Sequence, residues 1–269
     1  MQINLSELLE NTRKVADQAA SLLRDLHALP RMVKQKGRID LVTETDLAIE
    51  DFLRENLLPL VPGASFIGEE SAEGDEAVTS PEYKWPDYCW VVDPVDGTTN
   101  YAHGVPIVGI AIAFCVKGDP VLGIVEVPLL YESWYAAKGH GAFLNGKHVE
   151  TSTAKRLGKS LIATGFPYSI EDDVDEVLHR LRKALVSARG VRRCGAAAVD
   201  LAWLAGGRFD IFYESGLKPW DMAASCCIVR EAGGVVTHMD GSPFTLGRGD
   251  ILASNRFLCK QALAMLKDD

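Results

Sequence analysis

Leu5, Leu8, Leu9, Val15, Ala16, Ala19, Leu22, Leu23 and Leu26 recur at helical spacing, which predicts an amphipathic helix from about residue 5 to 28 with Arg13, Lys14, Asp17 and Arg24 on its solvated face. After Pro30, the run Lys34-Gln35-Lys36-Gly37-Arg38 reads as a basic, mobile tip between short strands. A second helix is predicted from about Asp46 to Leu58, stopped by Pro59. Residues 71 to 87, rich in Glu, Pro, Gly and Asp, read as a surface loop. Apolar runs at 88–92, 107–116, 121–127, 132–137 and 142–149 then predict strands, the last folded through the hairpin signal Asn145-Gly146. Beyond about 155 the pattern changes. Strands near 161–164, 209–213, 235–238 and 250–253 alternate with helices near 172–188, 197–205, 219–232 and 255–267, an α/β arrangement. There is no internal repeat, low-complexity stretch or flexible linker, so we divide the chain only by pattern, into halves 1–150 and 151–269.

With 269 residues, 47% of them hydrophobic and 24% charged, the chain can bury one large core or two coupled ones without a staple. Its net charge of −9 provides no basic footprint for direct nucleic-acid binding. Six cysteines, at 89, 115, 194, 226, 227 and 259, form no Cys-x-x-Cys pair and sit mostly in apolar surroundings, as expected for buried reduced thiols. The N-terminus has no basic segment followed by an apolar one, and no apolar run is long enough to span a bilayer, so we expect a cytoplasmic protein.

The chemistry concentrates at Trp90-Val-Val-Asp93-Pro94-Val95-Asp96-Gly97-Thr98-Thr99-Asn100-Tyr101, an apolar strand ending in two aspartates, a glycine and two threonines. Asp-Pro-x-Asp-Gly taken alone is also an ordinary polar turn. Here Pro94 is expected to turn the chain so that Asp93 and Asp96 point into one space, a pair of hard oxygen donors suited to Mg²⁺. Gly97 permits close backbone approach, and Thr98 and Thr99 read as a helix start whose free N–H groups could hold a phosphate. Three further element ends carry acids. These are Gly68-Glu69-Glu70, Trp220-Asp221 in the first turn of a helix begun at Pro219, and Thr45-Asp46. The four ends could converge into one acidic pocket, and bound Mg²⁺ would then cancel the repulsion that an acidic protein presents to a phosphate.

Other signals are weaker. Gly158-Lys159-Ser160 lacks the first glycine of a P-loop, and Gly139-His-Gly141 lacks the third glycine of a dinucleotide fingerprint. His103 has no obvious aspartate partner for base catalysis, and Cys226-Cys227 fall within a helix where they pack.

Gly68-Glu69-Glu70, Asp93 through Tyr101 and Trp220-Asp221 together resemble the inositol monophosphatase family of Mg²⁺-dependent, lithium-sensitive phosphatases. The resemblance extends through residues 40–46, 139–146 and 164–168 and so covers nearly the whole chain. It implies an α+β fold, a layered αβαβα sandwich of the inositol monophosphatase and fructose-1,6-bisphosphatase type, with the metal site between the halves. It implies hydrolysis of myo-inositol monophosphate, or of 3′-phosphoadenosine 5′-phosphate, fructose 1,6-bisphosphate or histidinol phosphate on the same fold. By the same resemblance, Glu69, Asp93 and the Val95 carbonyl hold one Mg²⁺, and Asp93, Asp96 and Asp221 hold a second. Thr98, hydrogen-bonded toward Glu69, orients the attacking water, and the N–H groups of Gly97 and Thr98 hold the phosphate. Glu214 and the backbone of Ala197 meet the polyol. Asp46 and either Lys36 or Lys34 belong to a region linked to a third, weaker Mg²⁺ and a mobile loop, with Glu70 as an outer group. A homodimer is implied, and some bacterial relatives act with the transcription antitermination machinery, which implies a transcription-factor partner.

Overall fold

The computed structural model describes residues 3–28, 33–35, 41–72, 76–167 and 170–267. Helix α1 (Leu5–His27) opens with the Asn4 side chain accepting the Glu7 N–H, and it buries Leu8, Val15, Ala16, Ala19 and Leu23 along the predicted stripe. Strands β1 (Val33–Gln35) and β2 (Leu41–Thr43) pair antiparallel before α2 (Glu44–Leu57), which ends at a 3-10 turn containing Pro59. Lys34 and Gln35 lie in β1, whereas Lys36, Gly37 and Arg38 of the expected tip lie outside the described residues.

The larger sheet holds β3 (Ser65–Gly68), β4 (Tyr88–Asp96), β5 (Gly109–Val116), β6 (Asp119–Val127), β7 (Glu132–Ala137), β8 (Ala142–Leu144) and β9 (Lys147–Val149) in that spatial order. Only β3 and β4 run parallel; the rest is an antiparallel meander. Asn145 and Gly146 both take positive φ between β8 and β9, as the hairpin signal requires. A short helix, α3 (Thr98–His103), interrupts the meander after β4. The smaller sheet contains β10 (Leu161–Thr164), β11 (Gly190–Arg192), β12 (Ile211–Ser215), β13 (Gly234–Thr237) and β14 (Asp250–Asn255), ordered β11-β10-β12-β14-β13. Its helices are α4 (Ile170–Ser187), α5 (Ala197–Ala205), α6 (Pro219–Glu231) and α7 (Cys259–Leu266). The short parallel edge strand β11 escaped the sequence pattern, because the three residues Gly190, Val191 and Arg192 give no alternation to read.

These elements stack as αβαβα. One apolar cluster joins Val91, Ala111 and Val125 of the larger sheet to Leu201, Met222 and Ile228 of α5 and α6 and to Phe212 and Ala253 of the smaller sheet. A second seats Leu23, Ile49 and Leu53 of α1 and α2 on Trp90, Ile112 and Leu122. The third puts Ala184 of α4 and Ala262 of α7 over Ile162, Ile211 and Leu252. Burial on both faces explains why β4, β5 and β6 read as continuous apolar runs. The face of β5 toward α6 is small, Ala111, Ala113 and Cys115, while the face toward α1 and α2 is large, Ile110, Ile112 and Phe114. At Gly123 the helix backbone itself is the neighbour: a Cβ there would stand 2.0 Å from the Ala224 carbonyl oxygen. All six cysteines are free thiols, with Cys89, Cys115, Cys226 and Cys227 buried as expected and Cys194 and Cys259 half-buried.

Candidate active site

The site begins with an irregularity in β4. Asp93 faces Ala111 across the ladder and Asp96 faces Gly109, so three steps on β4 are matched by two on β5. In a regular strand, residues three apart point to opposite faces. The extra residue reverses that parity and turns both carboxylates to the same side. Pro94 sits inside the bulge, where its missing N–H costs no ladder bond, and the Val95 N–H donates to Asp93 Oδ1 at 3.0 Å. The strand therefore runs on to Asp96 instead of stopping at Val92. Gly97 follows with φ of 88°, a left-handed conformation, and starts α3.

Glu69, Asp93, Val95, Asp96, Gly97 and Thr98 form one wall of a cleft whose other wall includes Arg193, Ala197, Asp200, Glu214, Lys218 and Asp221. Each acid arrives by a different route. Glu69 follows β3, and its N–H donates to the Val92 carbonyl at 3.1 Å, which sets it beside Asp93. Asp96 reaches across the cleft to α5, where Oδ1 accepts the Ala197 N–H at 2.9 Å and Oδ2 the Val199 N–H at 3.1 Å. Asp221 lies in the first turn of α6 as expected, and its Oδ2 accepts the Lys218 N–H at 2.6 Å. Glu214, near the end of β12, has room because position 165 is glycine: a Cβ there would stand 2.0 Å from Glu214 Oε1.

One expectation changes. The Thr98 hydroxyl faces the Val95 carbonyl at 3.0 Å and Asp46 Oδ1 at 3.2 Å, where the resemblance had aimed it at Glu69. The reason is that the start of α2 packs beneath α3 and buries Asp46 completely behind the threonine. Glu70, expected as an outer group, is not among the residues lining the cleft, and its N–H donates to Glu50 Oε2 at 2.8 Å. Three charged lining residues escaped the sequence reading, Arg193, Asp200 and Lys218. A lone aspartate within the apolar run Ala196-Ala-Ala-Val-Asp200-Leu-Ala was the available signal, since a buried acid needs a reason to be there.

Burial raises the carboxyls on both walls. Asp93 lies well above the usual carboxylate range, first through burial and then through Glu69, Asp96 and Asp221. Asp96 is pushed up to about 8 by burial and by Asp221, against the lowering effect of the two α5 N–H groups. Glu214 is raised by burial and by Asp221 and Asp200, with Arg193 opposing. Asp200 rises to about 7 through burial, tempered by Cys194 and Arg193. Among the described residues no three acidic, histidine or cysteine side chains are already drawn into a closed metal-holding set. The carboxylates instead surround a space and repel one another across it. Among the described residues no thiol or imidazole lines that space, and an all-oxygen donor set with excess negative charge fits a hard divalent cation such as Mg²⁺.

The sequence pattern of the inositol monophosphatase family matches residues 4–267. The chain belongs to this family. It is 38% identical over 259 residues to inositol monophosphatase 1 of Solanum lycopersicum, covering 95% of this chain and 93% of that protein. It is 39% identical over 239 residues to the Nus factor SuhB of Pseudomonas aeruginosa, covering 87% and 86%. Among solved structures, the inositol monophosphatase from Anabaena superposes with a TM-score of 0.85 at 32% identity over 98% of this chain and 96% of that one. Family membership accounts for the αβαβα layering described above. As in the sequence expectation, no helix among the described residues is long and apolar enough to cross a membrane.

Proposed function

We propose that this protein is a Mg²⁺-dependent phosphomonoesterase that hydrolyses myo-inositol monophosphate, or a closely similar polyol phosphate, to the alcohol and inorganic phosphate. The observation that most supports this is the convergence of Glu69, Asp93, Asp96 and Asp221 on a cleft that also holds Thr98 and Glu214. In this reading Glu69, Asp93 and the Val95 carbonyl hold one Mg²⁺, and Asp93, Asp96 and Asp221 hold another. Bound there, the ions supply charge neutralisation at the phosphoryl group and a lowered pKa for water.

The chain's own groups do the rest. The Thr98 hydroxyl, fixed by Asp46 and the Val95 carbonyl, orients the attacking water and passes its proton toward the buried Asp46 carboxylate. A carbonyl oxygen has two lone pairs, so Val95 can serve Thr98 and a cation together. The N–H groups of Gly97 and Thr98 hold the phosphate as the ester P–O bond breaks, and the departing alkoxide takes its proton from a solvent water. Glu214 accepts hydrogen bonds from substrate hydroxyls. The Ala197 N–H is already donated to Asp96, so Ala197 shapes the polyol end with its methyl group. Lithium inhibition through the Asp96 and Asp221 side belongs to the same reading. Hydrolysis of inositol 1-phosphate, 3′-phosphoadenosine 5′-phosphate, fructose 1,6-bisphosphate and histidinol phosphate should be compared with Mg²⁺ and with EDTA. The reading requires the highest kcat/KM for the inositol ester and none of it in EDTA.

Helix α4 supports a homodimer. Val174, Leu178 and Leu185 are exposed along one face, while its first half carries Asp175 and Glu176 and its second Arg182 and Lys183. Two copies laid antiparallel would cover both apolar faces and set acid against base. Leu178→Glu should therefore convert a dimer to a monomer in sedimentation. A second, regulatory role is favoured by the identity to a Nus factor, and the net charge of −9 argues for a protein partner over nucleic acid. A strain carrying Asp93→Asn should keep that role and lose only the phosphatase.

A further inference from the structure

Helix α2 carries two buried acids one turn apart, Asp46 and Glu50. Residues four apart share a helix face. Asp46 meets Thr98, whereas Glu50 meets the turn that carries Glu69. Glu50 Oε2 accepts the Glu70 N–H at 2.8 Å, and Oε1 accepts the Ser71 N–H at 3.0 Å and the Arg54 guanidinium at 3.2 Å. Arg54 is itself held over the Phe66 ring of β3, 4.4 Å from its centroid. The carboxylate lies so close to the turn that a Cβ on Gly68 would stand 2.4 Å from its carboxyl carbon. Glycine at 68 is what admits it.

The turn does not need Glu50 merely to close. Ser71 Oγ lies 3.3 Å from the Gly68 N–H, and the Ala72 N–H donates to the Gly68 carbonyl at 2.9 Å. What Glu50 adds is a bond from this turn to α2. On the other side, the Glu69 N–H is tied to β4 next to Asp93. The Glu69 main chain is thus clamped between β4 and α2 while its side chain extends into the cleft. Charge-assisted bonds of this kind are stiffer than neutral ones, and partners standing behind a metal ligand commonly set its affinity.

We propose that Glu50 is a positioning residue that holds Glu69 against Asp93 and, through the shared face of α2, in register with the Asp46–Thr98 pair. This rests on the reading of Glu69 as a Mg²⁺ ligand. The test is calorimetric titration of Mg²⁺ into the wild type, Glu50→Gln and Glu50→Asp, alongside melting curves without Mg²⁺ and the Mg²⁺ dependence of hydrolysis. The amide of Gln presents a donor where only acceptors fit, and Asp is one methylene short of the turn. Both variants should bind Mg²⁺ about 10–100-fold more weakly, and hydrolysis should need correspondingly more Mg²⁺ while KM for the phosphate ester at saturating Mg²⁺ stays unchanged. Gly68→Ala, which displaces the carboxylate from the turn side, must give the same shift and serves if the Glu50 variants fail to fold. A lowered Tm with unmoved Mg²⁺ affinity would make Glu50 a structural cap and overturn the proposal. A wild type that binds no Mg²⁺ in this titration would overturn the metal reading itself.

Discussion

The two walls of the cleft are built by opposite means. On one, Asp93, Val95, Asp96, Gly97 and Thr98 come from six consecutive positions, joined only by Glu69 from the end of the adjacent strand β3, and the bulge in β4 alone decides that the two aspartates face the same way. The other wall takes Arg193, Asp200, Glu214 and Asp221 from a loop, α5, β12 and α6, which meet only because two sheets sandwich a helical layer. In the function proposed above, the local wall serves what every phosphomonoester shares, while the assembled wall adds Asp221 to the cation set and turns Glu214 toward the alcohol, where substrates differ. Asp96 belongs to both, since its carboxylate anchors the first turn of α5.

Breaking the local wall should cost most. Asp93→Asn removes the one charge proposed to serve both cations, and kcat should fall by at least about 10³-fold, about 4 kcal/mol at 1.36 kcal/mol per decade. Steady-state assays at saturating Mg²⁺ measure this, and a mutant within a few fold of wild type would sink the two-metal reading. Thr98→Ala should lower kcat by about 10²–10⁴-fold with KM little changed, because the hydroxyl acts on the water and not on the alcohol. A change confined to KM would make Thr98 a binding residue.

The assembled wall should show itself as selectivity. Glu214→Ala should weaken inositol 1-phosphate relative to p-nitrophenyl phosphate by about 1–3 kcal/mol in kcat/KM, since only the polyol offers hydroxyls to the lost carboxylate. Equal losses on both would reassign Glu214 to support of the fold and erase the difference drawn between the walls.

The smallest effect separates burial from function. Glu126 lies outside the cleft, yet burial pushes it up to about 7, opposed first by the Ser133 hydroxyl, which donates to Oε1 at 2.6 Å. A carboxyl raised above its unfolded value contributes fully below the ordinary carboxylate range and loses that contribution as pH rises through about 7. Glu126→Gln keeps an acceptor for Ser133, so urea unfolding should find it more stable than wild type at pH 8 and nearly equal at pH 4. No gain at pH 8 would mean that this carboxyl ionises without cost. Activity should be unaffected at either pH.

Much was legible along the chain because the relevant forces act over a few residues. Strand period, helix stripe, the Asn145-Gly146 hairpin and the Pro219 helix start depend on neighbours in sequence, and each stands within a few residues of its predicted place. The acids at 69, 93, 96 and 221 were legible as candidates because the first three end apolar strands and the last opens a helix, and the resemblance supplied their grouping. Arg193 was not, because it is one basic residue among several in a loop, and Asp200 announced itself only as a lone acid in an apolar run, with nothing to say which cleft it would line. Likewise Glu50 reads as one more charge on an amphipathic helix until β3 is placed against it.

By itself, then, the order of residues determined the elements, the apolar faces that make them stack, and the oxygen chemistry at the end of β4. Only the tertiary structure decided that Asp96 would be held by α5, that Thr98 would turn to Asp46 instead of Glu69, and that Glu50 would grip the turn beside Gly68. The physical reason is reach. Propensity and periodicity act between neighbours, whereas a buried carboxylate is satisfied by whichever donors packing brings within about 3 Å, and those donors lie 20 residues away for Glu50 and 101 for Asp96.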